Sequence, residues 1–220
     1  MEYSFHIFNK MAADGVTMAT DKLLSDISME KKSKTKGAGL RSPKKTELSS
    51  PENTQEIRTP VVVCVGSDLA IGDSLGPITG SMLKFKTQGL NVFLYGTLGA
   101  PVTAKEIKYL RTFLQETHKD SPIIAIDAAV GNEGDIGLIK INDSPLLPGA
   151  GANKKLGAIG DMSIMGIVAE KSVGNYGLLN TTRLNLVYTM SEIISDAVSA
   201  LLWEYCSRQK KQAFPEAKNA

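Results

Sequence analysis

The chain is poor in the residues that most often mark a catalytic or metal centre. Its 220 residues include two histidines, two cysteines and a single tryptophan. Cys64 lies inside an apolar run and Cys206 near the end of the last predicted helix, so both are interpreted as buried or half-buried thiols of a reducing compartment. A catalytic Cys–His pair is not indicated, because neither His6 nor His118 lies in a motif.

Neither the charge nor the hydropathy of the chain is extreme. Lys and Arg number 25 against 23 Asp and Glu, giving a net charge of +2, whereas a nucleic-acid-binding domain is usually strongly basic. No apolar run approaches the roughly 18 residues that a membrane span needs. The first residues also lack the basic segment and apolar core of a secretory signal. We therefore expect a cytoplasmic protein with neither nucleic acid nor a membrane among its partners.

Residues 1–58 are predicted to be a flexible, disordered N-terminal extension. Asp21–Met29 is interpreted as a short amphipathic helix, but the residues after it are rich in Lys, Ser, Pro and Gly and nearly without large apolar side chains. Such a segment cannot bury enough surface to offset its ordering entropy. A pro-segment or docking arm is the alternative interpretation. A folded domain is predicted over residues 59–208, with a polar tail over residues 209–220.

The predicted domain alternates strands with helices, which favours a mostly parallel sheet between helical layers. The apolar runs of β-branched residues are typical of strands covered on both faces. The predicted strands are Val61–Val65, Asn91–Leu98, Pro122–Asp127, Ile136–Ile141 and Ser163–Ala169, and the fourth of these could be an antiparallel edge. The predicted helices begin at Asp73 or Ser74, at Thr103, and at Thr181 or Thr182, and end near Lys86, His118 and Arg208.

Two acidic residues follow two of these strands. Asp73 lies in the loop after the first strand, where Asp68 also lies, and Asp127 ends the third. In an open α/β sheet, ligands bind outside the carboxyl ends of the strands. If Asp73 and Asp127 approach each other, burial and like charge should raise the pKa of one of them, so that one holds a proton while the other activates water.

The residue types of this pair leave alternatives open. Two carboxylates could instead bind a divalent cation. Taken alone, Asp73 would be interpreted as a helix N-cap, and Asp127 as a strand-end acid that accepts backbone hydrogen bonds. Finding both at one predicted edge of the sheet favours a functional site.

The glycines of the first loop do not form a nucleotide cradle. A P-loop needs a Lys and a hydroxyl after its last glycine, whereas Gly72 is followed by Asp73. The spacing of Gly66, Gly72 and Gly76 does not match the dinucleotide pattern G-x-G-x-x-G either. Nucleotide binding is therefore not predicted.

A long loop rich in glycine and proline, residues 144–161, is predicted to be functional, because loops of this length are uncommon inside compact domains. Lys154 or Lys155 could neutralise a developing oxyanion or hold a carboxylate in place. The alternative is two solvated lysines on a surface loop. Asp161, at the end of the loop, is interpreted either as a third acid or as a turn residue.

Three segments in order, GSDLAIGDSLGP, IIAIDAAVG and PGAGANKKLGAIGDMSIMGIV, resemble the YyaC family of sporulation proteins, over about residues 61–208. That family is similar to the germination protease of endospore-forming bacteria and, more distantly, to the hydrogenase maturation peptidases. The resemblance implies a three-layer α/β/α sandwich of the phosphorylase/hydrolase type. It also implies a location in the cytoplasm of the spore or forespore.

The same resemblance implies an activity. In the germination protease two aspartates are regarded as an atypical aspartic-peptidase pair, one in a D-x-L-G-P segment matched by Asp73–Pro77 and one in an I-D-A context matched by Asp127. A PGSGVGNKR-like loop of that protease is similar to Pro148–Lys155. The resemblance thus implies a peptidase that acts through Asp73 and Asp127, with Lys154 or Lys155 as electrostatic support. It implies no cofactor, and small acid-soluble spore proteins as candidate substrates.

The maturation peptidases are similar to this chain in only two of their three nickel ligands. They bind nickel through acids at the positions of Asp73 and Asp127 and through a downstream histidine, and this sequence has no histidine after His118. Nickel-dependent recognition is therefore not expected. Two other hypotheses stand beside the peptidase: a protein-binding member of the fold without enzymatic activity, and a divalent-metal-binding maturation factor.

Overall fold

The computed structural model describes residues 1–37, 58–149, 156–171 and 178–213. The strands are β1 (Glu2–His6), β2 (Val61–Cys64), β3 (Phe93–Tyr95), β4 (Ile123–Gly131), β5 (Leu138–Asn142) and β6 (Met162–Glu170). The α-helices are α1 (Ala12–Gly37), α2 (Leu75–Lys86), α3 (Ile107–Thr117), α4 (Leu178–Thr181) and α5 (Leu184–Ala213). Two short 3-10 helices are formed by Gly72–Ser74 and Glu133–Asp135.

All six strands belong to one sheet, in the order β1-β5-β6-β4-β2-β3. Neighbouring strands from β6 through β4 and β2 to β3 are parallel, whereas β5 is antiparallel to both β1 and β6. The connections from β2 to β3 and from β3 to β4 carry α2 and α3, as is usual for parallel strands, whereas the connection from β4 to β6 passes through β5. The predicted mostly parallel sheet is therefore confirmed.

The side chains of β2 alternate between two cores, which shows how the layers form. Val62 and Cys64 contribute to a large core with α1, α2 and α5, whereas Val61 and Val63 contribute to a smaller core with α3. Because successive residues of a strand point to opposite faces, a run of apolar residues can cover both faces of the sheet. The result is the predicted three-layer α/β/α sandwich.

The N-terminal residues correct the domain prediction. Residues 1–37 are not a disordered extension, because β1 pairs with β5 in register from Glu2↔Asn142 to His6↔Leu138. The helix predicted over Asp21–Met29 is the middle of the much longer α1, whose buried Leu23 and Leu24 join the large core. The predicted extension between residues 38 and 57 lies outside the described residues.

An ion-pair cluster ties the N-terminal helix to the last one. The guanidinium of Arg208 on α5 donates to both carboxylate oxygens of Asp21 on α1, at 3.1 and 3.3 Å, and also to Glu204. These groups lie at the surface, so the cluster contributes little to stability by itself. It does show that α1 belongs to the same packed unit as α5.

Some element boundaries also differ from the predictions. Strand β5 is antiparallel, as considered, but it is not an edge strand, because β1 covers its outer side. Ser74 makes no side-chain cap at the start of α2; its hydroxyl donates to the carbonyl of Ile71 at 2.6 Å instead. Strand β4 continues to Gly131, well past Asp127, where the predicted strand ends.

Helix α5 is the one described helix that could cross a membrane by length and composition alone. Half of its apolar window is buried inside the fold, and its buried side chains face α1, α2 and the sheet. These buried side chains form one apolar stripe along the helix, which consists of Val187, Met190, Ile194, Ala197, Val198, Leu201 and Leu202. It is therefore the core-facing side of a helix in an α/β fold. The helix continues to Ala213, beyond the predicted domain end at Arg208.

Candidate active site

The candidate site lies at the carboxyl ends of β2 and β4. The two strands are in parallel register, from Val61↔Ile123 to Cys64↔Ile126. Asp127 therefore comes directly after the last residue of β4 that pairs with β2. Asp73 lies in the 3-10 helix Gly72–Ser74, between the end of β2 and the start of α2.

The loop that carries Asp73 is closed by its own backbone. Ser67 N–H donates to the carbonyl of Asp73 at 3.1 Å, which draws both ends of the loop together. Gly66 makes this possible with φ of 135°, and a Cβ atom there would lie 2.1 Å from the Asp73 carbonyl oxygen. The position of Asp73 therefore depends on a glycine at the strand end.

Helix α2 begins directly on the end of β2. A Cβ atom on Gly76 would lie 1.9 Å from the carbonyl oxygen of Val65, so no side chain fits between the two backbones. Pro77 occupies the first turn, as predicted, where its missing N–H is harmless. This close approach holds the 3-10 helix with Asp73 near the end of the sheet, where it contacts β4.

Asp127 is a buried carboxyl group with a strongly perturbed pKa. Only 9% of the residue is exposed. Burial raises its pKa well above the ordinary value, and the negative charge of Asp73 raises it further. The Ala128 N–H, which donates to Asp127 Oδ1 at 2.8 Å, opposes this shift in part. Asp73 is only partly buried, so the two acids have different environments.

The two environments give the pair a chemical asymmetry. A carboxyl group whose pKa is raised by burial and by a neighbouring negative charge tends to keep its proton at neutral pH. A neighbour with more access to water can stay ionised. The arrangement can therefore present one proton donor and one proton acceptor to a molecule bound at this edge.

The other acids considered in the sequence lie elsewhere. Asp68 is exposed on the same loop as Asp73. Asp161 lies at the opposite end of the strands, where its Oδ2 accepts from Ile123 N–H and its own N–H donates to the Ile123 carbonyl, both at 2.8 Å. Asp161 was interpreted either as a third acid of the site or as a turn residue, and the structure shows that it is a turn residue. Lys154 and Lys155 lie outside the described residues, and their role stays a prediction.

The histidines of the chain lie away from the acid pair. His6 ends β1, which is separated from β4 by β5 and β6, or roughly 14 Å of sheet. The ring of His118 packs against Phe93 near the amino end of β2 and its Nε2 lies 2.7 Å from Tyr95 Oη. In the described part of the chain, no three His, Cys, Asp or Glu residues form a metal-binding group. The described residues therefore do not fit the acid–acid–histidine nickel set of the maturation peptidases.

Sequence reasoning missed the two backbone contacts that position Asp73. It considered Gly66 and Gly76 in nucleotide motifs, and Gly76 in the segment shared with the germination protease, but neither glycine as a close contact between backbones. A glycine directly after a buried strand often marks a close approach of two backbones, and this signal was available in the sequence. The length of β4 beyond Asp127 was missed as well, although the residues that follow, AAVG, are apolar.

Comparison with known proteins gives three findings. The family profile described as a protein of unknown function, DUF1256, matches residues 19–197. The uncharacterized protein YyaC of Bacillus subtilis (strain 168) is 40% identical over 154 residues, which is 70% of this chain and 75% of the relative. This confirms the resemblance to YyaC read from the three segments. The crystal structure of the NiFe hydrogenase maturation protease HycI from Thermococcus kodakarensis KOD1 is 18% identical, with a TM-score of 0.33, covering 62% of this chain and 93% of that one.

Proposed function

The chain belongs to the DUF1256 family of proteins of unknown function, and we propose that it is an atypical aspartic peptidase that hydrolyses peptide bonds with Asp73 and Asp127. One observation carries this proposal: Asp127 is buried, and the charge of Asp73 adds to the rise of its pKa. Two acids that influence each other in this way, at the carboxyl edge of a parallel sheet, are typical of a functional site.

The environments of the two acids suggest their roles. Asp73, the more exposed acid, is the general base: its carboxylate takes a proton from water while the water oxygen attacks the peptide carbonyl carbon. Asp127, the buried acid, is the general acid: it gives its proton to the amide nitrogen as the C–N bond of the tetrahedral intermediate breaks. The proton on Asp73 then returns to Asp127 through water, which restores the starting state.

Lys154 and Lys155 complete the proposal as electrostatic support. The loop that carries them is anchored at its base by an antiparallel pairing of Leu146 with Ile159. A cationic ammonium group near the scissile carbonyl would stabilise the oxyanion of the tetrahedral intermediate. Replacing each lysine by glutamine in turn, and measuring kcat, shows which of the two has this role.

The proposed substrate and location come from the resemblance to sporulation proteins. We propose small acid-soluble spore proteins as substrates, and the cytoplasm of the spore or forespore as the location. Membranes and nucleic acids are not part of the proposal. Among the helices of the described ranges, the one apolar enough for a membrane has half of its apolar window buried in the fold.

The proposal is tested by incubating the purified protein with a small acid-soluble spore protein and following cleavage by mass spectrometry. Asp73→Asn and Asp127→Asn should each lower the cleavage rate roughly 100- to 10,000-fold, the usual range for loss of a general acid or base. Asp68→Asn is the matched control, since Asp68 is exposed on the same loop, and it should cleave as the wild type does. Equal cleavage by all four proteins would rule out the aspartate mechanism.

A second candidate function is peptide binding without hydrolysis. The observation that favours it is that one oxygen of Asp127 already accepts a backbone hydrogen bond from Ala128, as a structural acid would. This alternative predicts that peptides bind to the wild type and remain intact after prolonged incubation. Cleavage that depends on Asp127 would exclude it.

A further inference from the structure

Strand β4 is longer than its neighbour β2, and the difference leaves part of one edge uncovered. Strand β2 pairs with β4 only as far as Cys64↔Ile126. Beyond this point β4 continues through Asp127 to Gly131, and its other edge remains paired with β6. The uncovered segment, Ala128–Val130, therefore begins directly after the buried acid of the candidate site.

The hydrogen bonds between β2 and β4 show which backbone groups face the uncovered side. Val61 N–H donates to the Pro122 carbonyl and Val65 N–H to the Ile126 carbonyl. In a parallel sheet the N–H and C=O of one residue point to the same neighbouring strand, and successive residues alternate. The register between β4 and β6 shifts between Ala129 and Val130, but the Gly131 carbonyl beyond the shift still accepts from Lys171 N–H on the β6 side. The backbone groups of Ala128 and Val130 therefore face the side from which β2 has departed.

The departure of β2 follows from the turn at Gly66. The next donor of β2 in this series would be Ser67 N–H, but that group donates to the carbonyl of Asp73 instead. The Ala128 N–H donates to Asp127 Oδ1. Within the described residues, no hydrogen bond to a turn, a loop or a side chain involves the Ala128 carbonyl or the backbone of Val130. Both residues are partly exposed.

We propose that an extended peptide adds as a strand along Ala128–Val130, beyond the point where β2 turns away at Gly66, and so passes the acid pair. This inference rests on the proposed peptidase and names its substrate class: an unfolded segment or chain end, not a folded surface. A strand added here would lie about 4.8 Å from β4. Its alternate backbone groups would bond the Val130 N–H and the carbonyls of Ala128 and Val130.

The backbone groups of Ala128 and Val130 indicate which kind of ligand this edge would bind. A donor flanked by two acceptors along one strand edge is the pattern that another backbone satisfies. Main-chain bonds do not depend on side chains, so the edge should accept varied sequences. A proline or N-methyl group should be rejected at the two alternate peptide positions whose N–H groups point at β4, and tolerated at the position between them.

The first experiment measures binding apart from cleavage. Overlapping 12-residue peptides from a small acid-soluble spore protein are tested against the Asp73→Asn variant, and the best binder is resynthesised with single N-methyl groups at successive residues. The proposal predicts at least a 10-fold loss of affinity for methylation at residues that bond the edge, and little change at the residues between them. Uniform losses, no losses, or no binding by any peptide would overturn it.

The second experiment follows amide hydrogen exchange in the wild-type protein. The Val130 N–H should exchange quickly, whereas the Asp127 N–H, in register with Met165 of β6, should be protected. Saturation with the best-binding peptide should slow exchange at Val130 at least 10-fold. If Val130 is as protected as Asp127 before any peptide is added, another part of the chain already covers the edge, and the inference is wrong.

The two experiments separate this inference from the proposed function. If affinity falls only on N-methylation of alternate peptide residues, and the wild type cleaves nothing, the results support peptide docking along Ala128–Val130 and contradict the peptidase. Cleavage that depends on both aspartates but shows no alternation supports the peptidase and overturns the docking edge.

Discussion

Acids lie at both ends of β4, in different environments. At the amino end, Asp161 and Ile123 exchange two hydrogen bonds of 2.8 Å, which close the sheet where β6 begins. At the carboxyl end, Asp127 accepts one backbone bond and is destabilised as an anion by burial and by Asp73. A carboxylate whose hydrogen bonds join two strands has a structural role. A carboxyl group whose pKa is raised by burial and by a second acid is instead suited to proton transfer.

The amino end also has a concave surface, which is a candidate for a competing site. It encloses about 350 Å³ and its polar lining includes Arg111, His118 and Lys119. Several of these groups are already engaged, since Arg111 Nε donates to the Ala158 carbonyl at 2.8 Å and His118 bonds Tyr95. Lys119 also lies just beyond the carboxyl end of α3, where the helix dipole favours positive charge. Structural contacts therefore account for the polar groups that line this surface, whereas they do not account for the acid pair at the carboxyl end.

The largest expected effect comes from breaking the backbone contact that supports the carboxyl end. Gly76→Ala would place a methyl group against the Val65 carbonyl, so α2 would have to move away from β2. We expect a loss of about 3 kcal/mol or more in the free energy of unfolding, measured by urea denaturation, together with loss of peptide binding. Gly99→Ala is the control, because nothing lies within 4 Å of a Cβ there, and it should change stability by less than about 0.5 kcal/mol. Equal stability of the two variants would contradict the close approach.

A smaller effect is expected from the acid at the amino end. Asp161→Ala removes the acceptor of Ile123 N–H and should destabilise the fold by about 1–2 kcal/mol, while leaving the cleavage rate at saturating substrate unchanged. Asp120→Ala, at an exposed position nearby, should have no measurable effect on unfolding. Loss of activity in folded Asp161→Ala would mean that the two ends of β4 are not separate in function.

The smallest expected effect is a pH dependence that belongs to Asp127. Because its folded-state pKa is raised, the folded protein binds this proton more tightly than the unfolded chain, and stability falls as the pH rises above the unfolded value of about 3.9. Asp127→Asn should therefore gain in melting temperature relative to the wild type as the pH increases from about 4 to 8. The gain should vanish near pH 4. Asp68→Asn should follow the wild type across the range, and parallel curves for all three proteins would contradict the raised pKa.

Much of the sheet could be predicted because its inner strands are continuous apolar runs. Strands β2, β4 and β6 lie where Val61–Val65, Pro122–Asp127 and Ser163–Ala169 were predicted, and their carboxyl ends identify the edge that carries both acids. The alternation of strands and helices then determines the layers, because parallel strands need crossovers. The local sequence pattern was sufficient to predict a strand wherever the strand is buried on both faces, because such a strand requires an unbroken apolar segment.

The N-terminal strand and helix could not be predicted from composition, although a pattern is present. Tyr3, Phe5 and Ile7 alternate with polar residues and pack against the large core, but β1 gains its stability only by pairing with β5, about 130 residues further along the chain. The buried face of α1 consists partly of small residues such as Ala12 and Ala19. The Lys-rich sequence after α1 dominates the composition of residues 1–58, so composition alone did not indicate β1 or the full length of α1.

The Ala128 N–H links the proposed docking of a peptide to the protonation of Asp127. In the empty site this group bonds Asp127 and favours release of its proton. A peptide strand docked along the uncovered edge brings a carbonyl that competes for the same N–H. If that N–H bonds the peptide instead, the hydrogen bond that lowers the pKa of Asp127 is lost, and Asp127 holds its proton more firmly. In the proposed peptidase, binding of the substrate would then itself favour the protonated form of the general acid.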